Sequence, residues 1–198
     1  MTKYVLNSGG LRNFPEKGKK FLAEIVKDLG PNPKMLICLF AQPRENWEEK
    51  FAQYEGELND NAPEGVKVSF ELAFPDSFEE QVKISDIVYI HGGDDHLVQY
   101  WFARIAVPKI WEGKVVATSS AGSNLLVKHY WTCDWRQCGD GLGILPIRFI
   151  PHFKSDFGAD DPRGPIDWDK AYQELVAYGD KSLPIHALEE GDFIVITQ

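Results

Sequence analysis

Three well-separated stretches carry side chains suited to acyl transfer. The first, Thr118-Ser119-Ser120-Ala121-Gly122, sets small residues around a central serine where an apolar run meets a helix-like segment. A turn that tight holds its central side chain strained and exposed above a sheet, as in a nucleophile elbow. A serine hydroxyl is a weak nucleophile at neutral pH, so it needs a nearby base and a site for developing negative charge. The same small residues would also allow a close strand–helix crossing with no chemistry, and the motif alone leaves both readings open. Ser120, with small residues two before and two after, is the candidate nucleophile.

The second stretch is His91-Gly92-Gly93-Asp94-Asp95, at the end of the strand that precedes the elbow. Paired glycines let backbone N–H groups approach a bound group closely, as an oxyanion hole requires, although a glycine pair ending a strand also makes an ordinary turn. The third is His152 in "RFIPHFKSDF". It competes with four other histidines as the general base. His91 sits in the glycine turn, His96 and His129 fall in segments read as helical, and His186 falls in a strand. His152 alone follows a proline at a strand end, where a loop can aim it at the elbow. An orienting carboxylate would complete the set. Asp134 in "TCDW" and Glu190 in "LEEGDF" both lie downstream in loops, and residue chemistry does not choose between them.

The elements that must position these groups alternate along the chain. "KYVLN" (3–7) reads as a strand and 15–30 as a helix closed by Gly30, because Phe21, Leu22, Ile25, Val26 and Leu29 recur at helical spacing. "KMLICLFA" (34–41) is a continuous apolar run of the kind buried on both faces of a sheet. A helix over "ENWEEKFAQYEGEL", an alternating strand at 67–74, a short helix near "DSFEEQVKIS", a strand at 86–93 and a helix through "HLVQYWFARIA" follow. "KVVATS" is the fifth strand, and "AGSNLLVKHY" opens like a helix.

Strand and helix at this interval imply a doubly wound α/β fold, a mostly parallel sheet with helices on both faces. The last third is less regular. It reads as strand and loop ("GLGILPIRFIPHF"), a helix capped by Asp167 ("IDWDKAYQELVAYG"), and two strands joined by an acidic turn ("LPIHALEEGDFIVIT"). No repeat, low-complexity tract or linker divides the chain, so one domain over 1–198 is expected. In such a sheet, ligands bind outside the carboxyl ends of the strands, where the elbow and the glycine turn both fall.

Composition narrows the partners. A net charge of −9 disfavours nucleic acid and anionic membrane surfaces, both of which need clustered Lys and Arg. Three cysteines at 38, 133 and 138 form no framework and point to a reducing compartment. His129, Cys133 and Cys138 match no common zinc spacing, so neither metal nor cofactor is expected. The N-terminal "MTKYVLNSGG" lacks the plan of a secretory signal, and no apolar run approaches the ~20 residues of a membrane span. A cytoplasmic location is the expectation.

Taken together, "SSAGSN", the glycine turn, Asp134 fourteen residues after Ser120, Pro151-His152-Phe153 and Glu190-Gly191-Asp192-Phe193 resemble the dipeptidase E family. That family includes aspartyl dipeptidase and, more distantly, cyanophycinase. The matches fall in order along nearly the whole chain, including "ENWEEKF" after the second strand. The resemblance implies a class I glutamine-amidotransferase-like, flavodoxin-like three-layer sandwich. It also implies a serine peptidase cleaving short peptides, including dipeptides with an N-terminal aspartate, as a monomer or homodimer.

In that reading Ser120 attacks, His152 moves the proton and Asp134 or Glu190 orients the imidazole. Backbone groups of Gly92, Gly93 and Ala121 receive the oxyanion, and Asp94, Asn124 and Lys154 are candidate substrate contacts. A cation for an acidic substrate is sought among Lys154, Arg148 and Arg163, the nearest in sequence to the base. Asp94 stands where dipeptidase E usually has Asn, and Ser119 replaces a residue that is often bulky. The alternatives are a catalytically silent amidotransferase-like binding protein, or a hydrolase of the same mechanism acting on another acyl substrate such as cyanophycin or an ester.

Overall fold

The computed structural model describes residues 1–198. Five parallel strands come first: β1 (Lys3–Asn7), β2 (Lys34–Cys38), β3 (Ser69–Leu72), β4 (Ile87–Ile90) and β5 (Val115–Ser119). With β10 (Phe193–Thr197) they form a six-stranded sheet of order β10-β1-β5-β4-β2-β3, in which only β10 runs antiparallel. Four of the five residues of β2 and all of β4 and β5 are buried, as apolar runs flanked on both faces require.

Helices α1 (Pro15–Val26), α2 (Trp47–Asp60), α3 (Phe78–Lys83) and α4 (Asp95–Phe102) fill the crossovers, and α5 (Ala121–Leu126) follows β5. Successive strand residues point to opposite faces. Tyr89 meets Phe21 of α1, with ring centroids 6.1 Å apart, while Ile90 meets Gly122 of α5 on the other side. The sheet is therefore covered by helices on both faces, and the doubly wound α/β expectation holds.

Two local expectations fail. α1 stops at Val26, four residues before Gly30; Asp28 takes the left-handed conformation (φ 67°) that breaks the helix there. The helix opened by "AGSNLLVKHY" lasts only to Leu126, and β6 (Val127–Thr132) follows immediately, so His129 lies on a strand. The β-branched and aromatic residues of "VKHYWT" favour a pleated surface, and tertiary pairing decides the matter.

β6 pairs antiparallel with β7 (Gln137–Asp140) and parallel with β8 (Leu145–Ile150), which in turn pairs with β9 (Ile185–Ala187). Helix α6 (Trp168–Ala177) packs on this second sheet, its N-terminus capped by Asp167 accepting from the Lys170 N–H. The main hydrophobic cluster draws on both sheets, joining Val5, Leu36 and Val116 to Val127, Leu145 and Phe149. The second sheet delivers the loop after β8 and the turn before β10 to the carboxyl end of the first.

Candidate active site

β5 ends by folding straight into α5, and Ser120 at the junction has φ 50° and ψ −115°. A non-glycine residue held there costs about 1–3 kcal/mol and persists only where its surroundings impose it. The imposing contacts are visible. The Ser120 N–H donates to the Asn7 carbonyl at 3.0 Å, and the Ser120 carbonyl accepts from the N–H groups of Ser123 and Asn124. Ser123 Oγ donates to the same Asn7 carbonyl and shares a 2.7 Å hydrogen bond with Thr118 Oγ1. A Cβ at Gly122 would lie 2.3 Å from the Ile90 carbonyl oxygen, so the position two after Ser120 must be glycine.

His152 follows Pro151 just beyond β8 and is 5 % exposed. Its Nε2 is 3.0 Å from Ser120 Oγ, and its Nδ1 is 2.8 Å from Glu190 Oε1. Nδ1–H donates to the carboxylate, which leaves the Nε2 lone pair to accept from the serine hydroxyl. The hydrogen bond from His152 holds the Glu190 carboxyl below its ordinary pKa, against the opposing effect of burial. The ring is fixed from several sides. Phe157 stacks on it at 4.1 Å, and the His152 N–H donates to Ser8 Oγ, which donates onward to the Leu188 carbonyl.

The glycine turn lies against the elbow. A Cβ at Gly92 would come 2.9 Å from both the Ser119 carbonyl oxygen and Ser120 Cβ, and Gly93 has φ 147°. The Gly92 carbonyl is taken by Gln42 Nε2 at 2.6 Å, while the N–H groups of Gly92 and Gly93 have no partner. Ala121 begins α5, so its N–H is also outside the helical ladder. A cavity of about 650 Å³ opens over Ser120 and His152 and runs between α1 and α2, past Tyr89, His91, Tyr54 and Leu58. Burial pushes the pKa of His91 down to about 4, so its ring, stacked on Tyr54 at 3.8 Å, is neutral at pH 7.

The model of peptidase family S51 matches residues 6–198. The chain belongs to peptidase family S51. It is therefore a serine-type peptidase, and the hydroxyl–imidazole–carboxylate array lies in a protein of that class. The fold is shared with solved structures. A peptidase from an acI-B1 actinobacterium is 23 % identical with a TM-score of 0.65, covering 99 % of this chain and 83 % of its own. A Listeria monocytogenes EGD-e protein assigned to peptidase E is 13 % identical with a TM-score of 0.63, covering 100 % of this chain and 99 % of its own. No curated protein matches the chain.

Of the two candidate carboxylates, Glu190 reaches the imidazole of the peptidase and Asp134 does not. Asp134 lines the cavity without a hydrogen bond to His152; desolvation and the nearby Asp94 raise its pKa, while His152 draws it down. The three candidate substrate contacts lie elsewhere. Asp94 caps α4, its Oδ1 accepting from the Leu97 N–H at 2.7 Å. Asn124 is 1 % exposed beneath the elbow, and the Lys154 ammonium lies over the Phe153 ring outside the cavity.

The cations sought near the base are also committed. Arg148 donates to the carbonyls of Leu175, Val176, Lys181 and Leu183, and Arg163 pairs with Asp161. Three cations do line the cavity. Arg12 pairs with Glu57 and Lys19 with Glu16, while Lys50 on α2 has no ion-pair partner. Sequence reasoning missed these and also missed Ser8-Gly9-Gly10 after β1. A Cβ on Gly9 would lie 2.4 Å from His152 Cε1, and one on Gly10 would lie 2.7 Å from the Glu190 carboxyl. The signal was present, since a glycine pair ending a strand is the feature that singled out Gly92-Gly93.

Proposed function

We propose that the protein cleaves short peptides with Ser120 as nucleophile, His152 as general base and Glu190 as the orienting carboxylate. The observation that carries this is the unbroken run of hydrogen bonds from Glu190 through His152 to Ser120 at the head of the cavity. Ser120 Oγ attacks the peptide carbonyl carbon while its proton passes to His152 Nε2. The N–H groups of Gly93 and Ala121, with Gly92 packed beside them, receive the tetrahedral oxyanion. As the C–N bond breaks, the imidazolium gives its proton to the leaving amine, and water repeats the sequence on the acyl-enzyme.

Glu190 holds the Nδ1–H tautomer and the imidazolium that forms. Lys50 supports a preference for peptides with an acidic group, including an N-terminal aspartate, because it is the cavity's one cation free to pair with a carboxylate. We place this domain, 1–198, in the cytoplasm, a reading supported by three cysteines that are all free thiols. A serine-directed fluorophosphonate should label wild-type protein and leave Ser120→Ala unlabelled, as read by intact-mass measurement. Label retained in Ser120→Ala would refute the assignment.

A further inference from the structure

Two backbone turns must be held against one another for this chemistry: Gly92-Gly93 after β4 and Ser120-Ala121 after β5. The ladder between these strands ends at Ile90 and Thr118, two residues short of Gly92 and of Ser120. Beyond it one side-chain hydrogen bond joins the two segments. Asn124 Nδ2 donates to Asp95 Oδ1 at 2.9 Å. Asp95 is two residues after Gly93 and opens α4, while Asn124 is three after Ala121 and lies in α5. The second carboxylate oxygen of Asp95 accepts from Thr132 Oγ1 at the end of β6, which ties both segments to the second sheet.

This arrangement is costly where it stands. Asp95 and Asn124 are 3 % and 1 % exposed, no cation pairs with Asp95, and Asn124 Oδ1 has no hydrogen-bond partner. Two apolar side chains of similar volume would fill the space without a buried charge or an orphaned acceptor. The contact between the turns also has no slack, since a Cβ at Gly92 would strike Ser119 and one at Gly122 would strike Ile90. A small rotation of either helix is therefore passed directly to the backbone N–H groups.

We propose that Asp95 and Asn124 are positioning residues, a clamp that sets the glycine turn against the serine elbow and so fixes the geometry of the oxyanion donors. Neither touches substrate. The catalytic consequence rests on the serine-peptidase reading above; the structural consequence does not.

The test compares Asn124→Asp, which opposes two carboxylates, Asn124→Leu, which deletes the bond, and the exchange Asp95→Asn with Asn124→Asp, which restores one donor and one acceptor. The limiting rate of Ser120 phosphonylation, in which Oγ bonds to phosphorus and fluoride leaves, should fall about ten- to a hundredfold in both single variants. The half-saturating probe concentration should stay within about twofold, and the exchange should recover the rate to within a few-fold. Amide hydrogen exchange over 91–95 should quicken in the single variants and slow again in the exchange variant. Wild-type labelling rates in both single variants overturn the clamp. So does an exchange variant that regains its melting temperature but not its rate, or amide exchange that quickens equally throughout the core strands. Absence of label at Ser120 in the wild type overturns the peptidase reading instead, and the 91–95 exchange then decides the clamp alone.

Discussion

The protein contains two buried histidines, each hydrogen-bonded through Nδ1 to a carboxylate, and only one has a site around it. His152 meets Glu190 at 2.8 Å, and His129, on β6, meets Asp140 at 2.6 Å. The difference lies at the other ring nitrogen. His152 Nε2 faces a serine hydroxyl and a 650 Å³ cavity, whereas His129 Nε2 accepts the Asp180 backbone N–H at 2.9 Å and has no lone pair to offer. Even the supporting glycines correspond: a Cβ on Gly9 would hit the His152 ring at 2.4 Å, and one on Gly179 would hit His129 at 2.3 Å. A histidine–carboxylate pair is thus a structural fastener until its second nitrogen is left a proton to move.

The sharpest way to break this contrast is to remove each ring. His152→Ala should lower kcat/KM for short peptides by ~10⁴-fold or more, as loss of a base acting in one unit with its nucleophile does. His129→Ala should keep kcat/KM within a few-fold and lower stability by about 1–3 kcal/mol, because it removes a buried ring together with its hydrogen bonds to Asp140 and the Asp180 N–H. A comparable activity loss in both would erase the distinction. The carboxylates come next. Glu190→Gln should cost up to ~10⁴-fold in kcat by favouring the wrong tautomer, and Asp134→Asn less than about tenfold. A larger loss at Asp134 would return the orienting role to it.

The glycines give a smaller effect. Gly9→Ala should displace the His152 ring and cost about a hundredfold in labelling rate, while Gly179→Ala should lower the melting temperature and leave the rate nearly intact. The smallest effect is on pH and stability. The Glu190 carboxyl is depressed in the folded state, so its contribution is present above the unfolded-state pKa of about 4.3 and is lost as pH falls through the lower folded value. Glu190→Gln should therefore melt below wild type at pH 7, with the gap closing toward pH 3. A gap that is unchanged with pH would show that the interaction with His152 does not depend on the charge.

Much of the site was legible because its signals are local. Small residues around Ser120, a glycine pair ending β4 and a proline before His152 each report a backbone constraint that only a few residue types satisfy. The segment after the elbow was misread since "LLVKHY" has apolar positions compatible with either period, and its pairing with β8, eighteen residues on, settled it as a strand. Asp94 and Asn124, expected as substrate contacts, are engaged with the Leu97 N–H and with Asp95, since a short polar side chain near a site suits local hydrogen bonding as well as binding.

The sequence by itself determined the alternating α/β plan of the first five strands and singled out Ser120 and His152 as the candidate nucleophile and base, since spacing and turn chemistry are properties of neighbours along the chain. Which carboxylate faces the imidazole, which of the cavity's three cations is left without an ion-pair partner and which of two histidine pairs keeps a free nitrogen were decided only in three dimensions. Asp134 and Glu190 are both acidic loop residues downstream of the elbow. What separates them is that the turn before β10 packs against Gly9 and Gly10 at the end of β1, a contact spanning nearly the whole chain.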